Sequence, residues 1–487
     1  MNKIEQIFEN VLSRIKPTNV EILLIQNIVQ ELKTLIKTRA EQLNIKFTTI
    51  CPQGSTGIKQ TQLKTDFDID LFIGLNYEEF KSKYDGLSKT RVKKAIKKDF
   101  FYLCENWIIQ ALHGTKFKDP VLFFAEHPYV RVNYFHDGKK IKIDIVLYFD
   151  LPKEYIMNNG PITAVDRTPW HGKFIKENLT ERQKDEVRLL KQFFKACYCY
   201  GDKSPIGRCG FIGYSAELLI HHFKSLQNLF ENFNSLKNMA IDPIKRRTYD
   251  QLKKIERFKD DFLIIIDPVD PNRNVGSSIS KRAYDYCNVK VKEFLKNPKE
   301  AFFEIRPIPE FNPKTSKKST IDKLFIIEFK NEDPNVHYTI NRDKLYSLGQ
   351  SIKANGEKEY THAKKFGRIE FEVYFEEEQE EYNIALYCDE PIIPRTYLRK
   401  GPPINSRYHA KKFMEKNPNY IIKDGYLWVE DLHSHVNFLD FLKDFVPEKS
   451  PKNLKLLNIS DAKNCITSPG KKALYLLDEL ILPLVLF

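Results

Sequence analysis

The sequence contains no long uninterrupted run of apolar residues. Its first residues, MNKIEQIFENVLSRIK, mix charged with apolar side chains at helical spacing, so they lack the continuous apolar core of a signal peptide. The last residues, LLDELILPLVLF, are interrupted by acids and a proline, and they are far shorter than the roughly 20 apolar residues of a membrane span. We therefore expect an intracellular, cytoplasmic protein with no membrane partner, whose C-terminal segment packs against the fold.

Cysteine is also scarce and shows no metal-binding pattern. Only eight cysteines occur among the 487 residues, and no internal repeat is present. Cys197, Cys199 and Cys209 lie near one another in the sequence, but neither a second CxxC pair nor a pair of histidines accompanies them, as a zinc site would require. We expect reduced, buried thiols.

The composition is that of a folded protein with several domains and an excess of basic residues. Hydrophobic residues make up 42% and charged residues 29% of the 487 residues, and this length predicts about two to four domains. Lysine and arginine (78) exceed aspartate and glutamate (65), which gives a net charge of +13. The excess favours an anionic partner, with nucleic acid ahead of a membrane. A lysine-rich proteome would produce the same excess.

The spacing of apolar residues alternates between helical and strand periodicity along the chain. Residues 1–45 predict two amphipathic helices separated by Pro17. Residues 47–75 and residues 140–148 predict strands of an α/β domain. Residues 180–257 predict a long helical connector.

Beyond several prolines, predicted strands again alternate with helices. Residues 324–329 and residues 369–375 have strand character, which favours one or two further α+β domains. The acidic run at residues 376–381 predicts a solvated loop and not a metal site. The sequence as a whole predicts a multidomain fold in which an α/β part precedes α+β parts.

The most informative segment joins a glycine-containing turn to a strand with two acids. Gly54 and Ser55 open the turn, and the run DFDIDLFI follows it. Side chains alternate between the faces of a strand, so Asp68 and Asp70 point to the same side while Ile69 points into the core. Carboxylate oxygens are ligands that Mg²⁺ prefers, and the backbone N–H groups of a glycine-containing turn suit phosphates.

A third acid lies in a second apolar strand. In the run KIKIDIV, Asp144 occupies the face opposite to Ile141, Ile143 and Ile145. A buried carboxylate is costly without a metal or a partner. A DxD strand alone is often only a strand end, but the turn and the third acid together favour a two-metal site.

Several stretches make the chain similar to a known family, the archaeal-type (class I) CCA-adding tRNA nucleotidyltransferases of the polymerase-beta-like superfamily. Residues from about 447 onward fit this resemblance poorly. The stretches that carry it, besides the motif around Asp68, are Ala125–Val130, Ala164–His171, Glu186–Lys191, Tyr200–Gly201, Gly210–Tyr214, Asp267–Val275 and Gly401–Pro403.

The resemblance implies an architecture and an activity. It implies a polymerase-beta-like catalytic head at residues 1–150, a helical, nucleotide-binding neck at residues 151–260, and a tRNA-binding α+β body and tail at residues 261–487. It also implies the addition of C, C and A to the 3′ end of tRNA from CTP and ATP, with Mg²⁺ as the cofactor. A homodimer is possible.

The resemblance also implies roles for single residues. Asp68, Asp70 and Asp144 would hold two metal ions and be catalytic. Arg273 would face the incoming base, whose edge a forked guanidinium can read. The residues that would surround the triphosphate are Gly54, Ser55, His171, Lys191 and Tyr200. The alternative for His171 is a loop histidine with satisfied hydrogen bonds, for Tyr200 a packing residue at a helix end, and for Lys191 a solvent-exposed position on its helix.

The chain departs from the family pattern in the glycine turn. The family usually has an aromatic residue two positions after the glycine and an arginine two positions further on, where this chain has Thr56 and Ile58. One extra residue also lies between Ser55 and Asp68, and Lys59 is a candidate for the arginine's phosphate contact.

Clusters of basic residues beside aromatic residues favour RNA binding. Each cluster by itself is more often a solvated surface. The clusters are Lys245–Arg247, Lys314 with Lys317 and Lys318, Lys364–Lys365, Arg399–Lys400 and Lys411–Lys412, and the aromatic residues are Tyr397, Tyr408 and Trp428.

Two other functions stay open at the level of the sequence. The same head could make a different product, such as an oligonucleotide second messenger or another RNA tail. The chain could also be an inactive RNA-binding homologue, although the intact acids argue against it.

Overall fold

The computed structural model describes residues 3–64, 68–124, 127–314, 318–333, 336–358, 364–376 and 380–486. The chain forms two compact units. The first comprises Met1–Asp202 and Cys209–Ile305, and the second comprises Lys203–Arg208 and Arg306–Phe487. The second unit thus includes a short segment from within the span of the first, while the division into head, neck, and body and tail stays a prediction.

A five-stranded mixed sheet forms the centre of the first unit, in the order β1-β2-β5-β4-β3. Its strands are β1 (Thr49–Gln53), β2 (Ile69–Leu75), β3 (Lys118–Phe124), β4 (Pro128–His136) and β5 (Lys139–Phe149). The central pair β2–β5 is parallel and the other pairs are antiparallel. The strands predicted at residues 47–75 and 140–148 are therefore confirmed.

Helices surround this sheet and continue beyond it. They are α1 (Lys3–Ile15), α2 (Asn19–Gln42), α3 (Glu78–Tyr84), α4 (Lys89–Leu103), α5 (Gln110–Leu112), α6 (Lys153–Asn159), α7 (Thr168–Asn178), α8 (Glu181–Ala196), α9 (Gly213–Phe223), α10 (Leu226–Asn232), α11 (Tyr249–Lys253) and α12 (Lys281–Lys296). The two helices predicted within residues 1–45 are confirmed as α1 and α2, with Pro17 between them.

Helix α2 shows how the sequence starts and anchors a helix. Thr18 and Glu21 form a capping box, in which each side chain accepts a hydrogen bond from the other residue's backbone N–H. Leu32 and Ile36 are fully buried one turn apart, and the Trp107 indole donates to the Ile36 carbonyl over 2.9 Å. The buried stripe joins α2 to the core beneath the sheet.

The continuous helical stretch predicted for residues 180–257 is interrupted, and in that part the prediction is wrong. Helix α8 ends at Ala196, and Tyr198 and Gly201 then adopt positive φ angles of 57° and 76°. A left-handed backbone cannot continue a right-handed helix. The intervening loop leads to α9, and two short parallel strands follow, β6 (Ala240–Ile241) and β7 (Ile264–Ile265).

The second unit contains a four-stranded and a three-stranded sheet. Its strands are β8 (Leu324–Asn331), β9 (Ile369–Phe375), β10 (Glu381–Cys388), β11 (Thr396–Pro403), β12 (Ile421–Lys423), β13 (Tyr426–Leu432) and β14 (Leu454–Asp461). The sheets have the orders β14-β8-β10-β9 and β11-β13-β12. Every pair is antiparallel. The strands predicted at residues 324–329 and 369–375 are confirmed.

Helices cover both faces of the four-stranded sheet. They and the remaining helix of this unit are α13 (Lys318–Ile321), α14 (Tyr338–Gly356), α15 (Arg407–Lys416), α16 (Phe438–Lys449), α17 (Ser468–Tyr475) and α18 (Leu482–Leu486). On one face Ile327 and Phe438 share a core with α14. On the other face the buried Glu328 accepts hydrogen bonds from Thr467 at the start of α17.

The C-terminal segment packs as the sequence predicts. Leu476, Leu477, Ile481 and Leu482 are buried. The acidic run is described only at its ends, because residues 377–379 lie outside the described residues. Glu376 there accepts a hydrogen bond from Lys472 over 2.6 Å.

Two further sequence predictions concern membranes and thiols. Within the described ranges, no helix has both the length and the apolar composition needed to cross a membrane. The eight cysteines are free thiols, of which Cys51 and Cys465 are partly exposed and the others buried. The prediction of free thiols is confirmed, and that of burial holds for all but these two.

Candidate active site

Three predicted carboxylates lie together where β2 and β5 pair. Asp70 and Asp144 are direct partners in this parallel pair, while Ile69 and Ile143 are fully buried. Asp68 immediately precedes β2. The pKa of Asp70 is raised to about 7, first by burial and then by the negative charges of Asp144 and Asp68. The alternation of faces along the two strands therefore concentrates negative charge at one place.

The glycine turn lies against this cluster. Strand β1 ends with Gln53 opposite Asp70, and Gly54 follows with φ of +68°. A Cβ atom on Gly54 would lie 2.4 Å from Oδ2 of Asp70, so only glycine fits here. The backbone N–H of Thr61 closes the loop by donating to the Ser55 carbonyl over 3.0 Å.

Thr56 takes part in this turn although the family usually has an aromatic residue there. Its hydroxyl donates to the Asp68 carbonyl over 2.8 Å. The turn is thus tied to the chain segment that carries the first carboxylate. Asp66 and Phe67, which belong to the motif in the sequence, lie outside the described residues, as do Ala125 and Glu126 of a later stretch.

A buried glutamate connects the loop after the turn with the helices α8 and α9. Glu217 of α9 is 1% exposed. It accepts hydrogen bonds from Lys59 and from the Thr61 hydroxyl, each over 2.7 Å, and lies 3.5 Å from Nζ of Lys191. Lys191 also donates to the Thr61 hydroxyl over 2.9 Å. The predicted phosphate contact of Lys59 stays a prediction, since Lys59 is here paired with Glu217.

The electrostatics of this network follow from burial. Burial lowers the pKa of Lys191 to about 8, and the nearby charge of Glu217 opposes this shift. The carboxylate of Glu217 keeps a pKa below its ordinary value despite burial, because Lys59 and Lys191 stabilise its charge. The network is therefore a cluster of two ammonium groups around one carboxylate.

Tyr200 approaches Lys191 across a glycine. A Cβ atom on Gly213 would lie 3.2 Å from the Tyr200 hydroxyl and 3.5 Å from Nζ of Lys191. Tyr200 forms an isolated bridge with Phe211, which fixes its backbone in the loop between α8 and α9. The absence of a side chain at Gly213 leaves room for both polar groups.

A second buried carboxylate, Asp267, joins two further predicted residues. Oδ2 of Asp267 lies 2.7 Å from Nε2 of His171 and 2.8 Å from Nη1 of Arg273. The Tyr214 hydroxyl donates to Oδ1 over 3.2 Å. Burial raises the pKa of Asp267, but His171 and Arg273 outweigh it and hold this pKa well below its usual range. Burial lowers the pKa of His171.

Tyr214 links the two buried networks. Its ring stacks on His171 with centroids 4.3 Å apart, and Nζ of Lys59 lies 4.5 Å from its centroid. Arg273, whose side chain is 30% exposed, lines a cleft of about 520 Å³. The structure therefore brings the predicted residues of the turn, α7, α8 and the loop before α12 into one region of the first unit.

The carboxylate cluster has the chemistry of a magnesium site. Its donors are carboxylate oxygens, which hard divalent cations prefer, and their mutual repulsion would be relieved by a cation. No group of three or more His, Cys, Asp or Glu side chains in the described part of the chain is already arranged around a common metal position. Asp144 is instead held by Arg131, which donates to its carboxylate over 2.7 and 2.9 Å.

Sequence reasoning assigned no role to Arg131, Glu217 or Asp267. Glu217 gave a usable signal, because it is a lone acid among apolar residues of a helix, as Asp144 is in its strand. Arg131 stands between Val130 and Val132 in β4 and is the corresponding lone cation. Their partners come from other elements and could not be identified without the fold.

The predicted RNA-binding clusters have different surroundings in the structure. Arg247 donates to Asp242 over 2.6 Å and so has a structural partner. Lys364 pairs with Glu357 over 2.6 Å. Lys317 lies outside the described residues. Lys400 lies over the rings of Tyr426 and Trp428, with 3.6 Å from Nζ to the first centroid.

A basic groove in the second unit is lined by one residue from each of two of these clusters. It has a volume of about 660 Å³ and lies between β11 and α15. Arg399 and Lys412 line it together with His409 and Lys416. Tyr408, on the same helix, is 72% exposed.

Comparison with known proteins identifies the family. The family described as tRNA nucleotidyltransferase, second domain, matches residues 185–304. A CCA-adding enzyme of Methanocaldococcus jannaschii is 28% identical over 484 residues, covering 96% of this chain and 95% of that protein. One of Saccharolobus islandicus is 31% identical over 421 residues, covering 86% and 87%. This chain belongs to the family of CCA-adding enzymes.

As a CCA-adding enzyme family member, the protein is a nucleotidyltransferase. The second-domain match contains Lys191, Tyr200, Glu217, Asp267 and Arg273. The alignment with the Methanocaldococcus enzyme covers 96% of the chain, so the resemblance also includes part of the region after residue 447 that fits the family poorly by motif. The solved Cid1 poly(U) polymerase with Mg 3′-dATP has a TM-score of 0.44 at 13% identity, covering 62% of this chain and 98% of that chain. That likeness is too distant to bear on residues.

Proposed function

We propose that this protein adds the terminal C, C and A to the 3′ end of tRNA from CTP and ATP, without a nucleic-acid template. Family membership supports the proposal. One structural observation assigns the activity to particular residues. The carboxylates of Asp68, Asp70 and Asp144 lie beside the turn at Gly54, in the same unit as Lys191. This arrangement supplies acids for divalent cations and donors for a triphosphate.

The three carboxylates would hold two Mg²⁺ ions. When bound, Mg²⁺ lowers the pKa of an attacking 3′-hydroxyl and neutralises the charge of the leaving pyrophosphate. The left-handed backbone at Gly54 lets the turn approach Asp70 closely. The hydroxyl and N–H of Ser55 can then donate to phosphate oxygens next to the carboxylates.

The remaining predicted residues serve the nucleotide. Lys191 offers an ammonium group to the triphosphate, and Tyr200 offers a hydroxyl beside it. His171 is buried with a lowered pKa and acts as a neutral group. Asp267 accepts a hydrogen bond from Nη1 of Arg273 and so fixes the orientation of the guanidinium. The remaining N–H groups of the guanidinium can then donate to the base.

The basic groove between β11 and α15 supports tRNA binding by the second unit. Arg399, Lys412 and Lys416 can contact phosphates, which suits the shape-based recognition of A-form RNA. The protein would act in the cytoplasm.

Stepwise extension of one tRNA tests the reaction. A transcript that ends at the discriminator base should gain two C residues with CTP alone and then stall. Addition of ATP should release the stall and yield CCA ends, with no further extension, when the products are sequenced. Long homopolymers, or equal activity on unstructured RNA, would contradict the proposal.

A pair of variants tests the assignment of the carboxylates. Asp70→Asn should abolish nucleotide incorporation but leave tRNA binding intact in a gel-shift titration. Asp137→Asn, in the exposed turn between β4 and β5, is the matched control, since the Asp137 side chain is 86% exposed. Wild-type turnover by Asp70→Asn would reject the assignment.

A further inference from the structure

Arg131 and Asp144 form a cross-strand pair on the face of the sheet that carries the acids. Arg131 of β4 lies directly opposite Asp144 of β5 in the antiparallel register. Its Nε donates to Oδ1 over 2.7 Å and its Nη2 donates to Oδ2 over 2.9 Å. This is the two-point contact in which the guanidinium fork matches both oxygens of a carboxylate.

Aromatic side chains hold the guanidinium in place. Its central carbon lies 4.8 Å from the ring centroid of Phe123 and 5.7 Å from that of Tyr129. The two rings stack with centroids 5.8 Å apart, and their residues are partners in the β3–β4 pair. Cation–π contacts from a fixed aromatic pair limit the orientations of the arginine. The two rings and Asp144 therefore restrict the orientation of the Arg131 side chain.

The position of this cation matters because Asp144 lies beside Asp70 in the β2–β5 pair. Like charges at this spacing repel, and the repulsion is stronger in a partly buried site than in water. Lys59, another cation near the cluster, is paired with Glu217. Arg131 thus neutralises one carboxylate of the group that would hold the metal ions.

We propose that Arg131 is a positioning residue that acts as the internal counter-cation of Asp144 and competes with divalent cations for its carboxylate. The inference rests on the proposed role of Asp144 as a metal ligand. Because the fork uses one lone pair on each oxygen of Asp144, a divalent cation must either share these oxygens with Arg131 or displace at least one of its hydrogen bonds. Arg131 therefore keeps the acid in place before metal and nucleotide bind, and it lowers the affinity for metal.

Metal binding by the full-length protein tests this role directly. Titration with Mn²⁺, followed by electron paramagnetic resonance of the free ion, should show about three- to tenfold tighter binding by Arg131→Gln than by the wild type, because the competing cation is removed. Adding Asp144→Asn to Arg131→Gln should abolish this gain. Arg131→Lys keeps the charge without the fork, so its Mn²⁺ affinity should lie between those of the wild type and Arg131→Gln. It replaces Arg131→Gln in the test if that variant folds poorly.

Thermal unfolding gives a second readout that does not depend on activity. In EDTA, Arg131→Gln should unfold at a lower temperature than the wild type, and Mg²⁺ should raise its unfolding temperature by more than it raises that of the wild type. Arg399→Gln is the matched control, since Arg399 also pairs with an aspartate across strands, Asp431, over 2.7 Å and lies over an aromatic ring. Its response to Mg²⁺ should equal that of the wild type.

The outcomes separate this inference from the proposed function. Unchanged or weaker Mn²⁺ binding by Arg131→Gln, with an ordinary response to Mg²⁺, would overturn the role of Arg131 and leave the metal assignment standing. If Asp144→Asn alone binds Mn²⁺ as the wild type does, Asp144 is not a metal ligand. The metal assignment of Asp144 and the role of Arg131 would then both be rejected.

Discussion

Gly54 combines an unusual backbone angle with a close approach to a carboxylate. We expect Gly54→Ala to lose nearly all nucleotide incorporation, because the new methyl group would displace Asp70, whose Oδ2 lies 2.4 Å from the Cβ position. An alanine at this left-handed φ should also lower the free energy of unfolding by about 1–2 kcal/mol. Incorporation of CTP and chemical denaturation measure the two effects separately.

Gly138 supplies the matched control for this change. Its φ is +74°, similar to that of Gly54, but a Cβ there would meet no atom within 4 Å. Gly138→Ala should therefore lose a similar amount of stability and keep its activity. Equal activity in the two variants would mean that the approach to Asp70 is unimportant.

Lys191 makes nucleotide binding sensitive to alkaline pH. A lysine binds phosphate as ammonium, and the pKa of Lys191 is lowered to about 8, first by burial. The group is charged below that pH and loses its charge above it. The affinity for ATP should therefore be constant near neutral pH and fall by up to about tenfold per pH unit above pH 8. Equilibrium titration with a fluorescent ATP analogue measures it.

Two variants locate this pH dependence at Lys191. Lys191→Arg keeps its charge throughout this range, so the alkaline fall should disappear. Glu217→Gln removes the charge that opposes the effect of burial, so the fall should begin at lower pH. An unaltered profile in both variants would place the titrating group elsewhere.

Arg273 should set the choice of base more than the rate of chemistry. Arg273→Ala should increase incorporation of UTP and GTP relative to CTP and ATP, because the polar edge that reads the base is lost. Arg257 lines the same cleft and donates to the Asn272 carbonyl over 2.7 Å. Arg257→Ala is the control and should keep the wild-type preference among the four triphosphates, as read by end sequencing.

Among the elements, α8 carries Lys191 and depends on its N-terminal cap. The Thr180 hydroxyl and the Gln183 side chain form a capping box. Thr180→Ala should lower the free energy of unfolding by about 1 kcal/mol, since backbone N–H groups lose their partner. Thr34→Ala, at an exposed position within α2, should be neutral or slightly stabilising, because alanine is the better helix former there. Urea unfolding curves would show the difference in midpoint.

The sequence was sufficient to predict some of the helices and strands. Strands β2 and β5 followed from alternating apolar residues, and that alternation also placed Asp68, Asp70 and Asp144 on the side away from the core. The break after α8 was not predicted, since it depends on the left-handed angle at Tyr198, a residue type without a preference for that conformation.

The side-chain networks around Arg131, Glu217 and Asp267 could not be predicted from the sequence for a different reason. The pairing of Arg131 with Asp144 depends on the register of β4 against β5. Glu217 contacts Lys59 and Thr61 from the loop after β1. Asp267 contacts His171 of α7, 96 residues away in the sequence. A sequence pattern indicates the face of a residue, whereas its partner follows from tertiary packing.

At the scale of the whole molecule, the net charge of +13 predicts salt-dependent binding of tRNA. Each phosphate contact releases counterions, so affinity falls steeply with salt. With about four phosphate contacts, raising monovalent salt from about 50 to 200 mM should weaken tRNA binding by about a hundredfold. Filter binding measures the slope, and a flat response would argue against recognition through phosphates.

Because the chain passes between the two units three times, the second unit cannot be exchanged by a single gene fusion. The boundary is crossed after residues 202, 208 and 305. A gene fusion at one junction after residue 305 would bring in a foreign second unit but retain the native segment Lys203–Arg208. That segment is fitted to its own unit, where Gly207 donates to Glu372 over 3.1 Å and Arg208 pairs with Asp343. Exchange of the second unit alone would therefore leave this segment without Glu372 and Asp343, so a functional exchange requires that both pieces be replaced together.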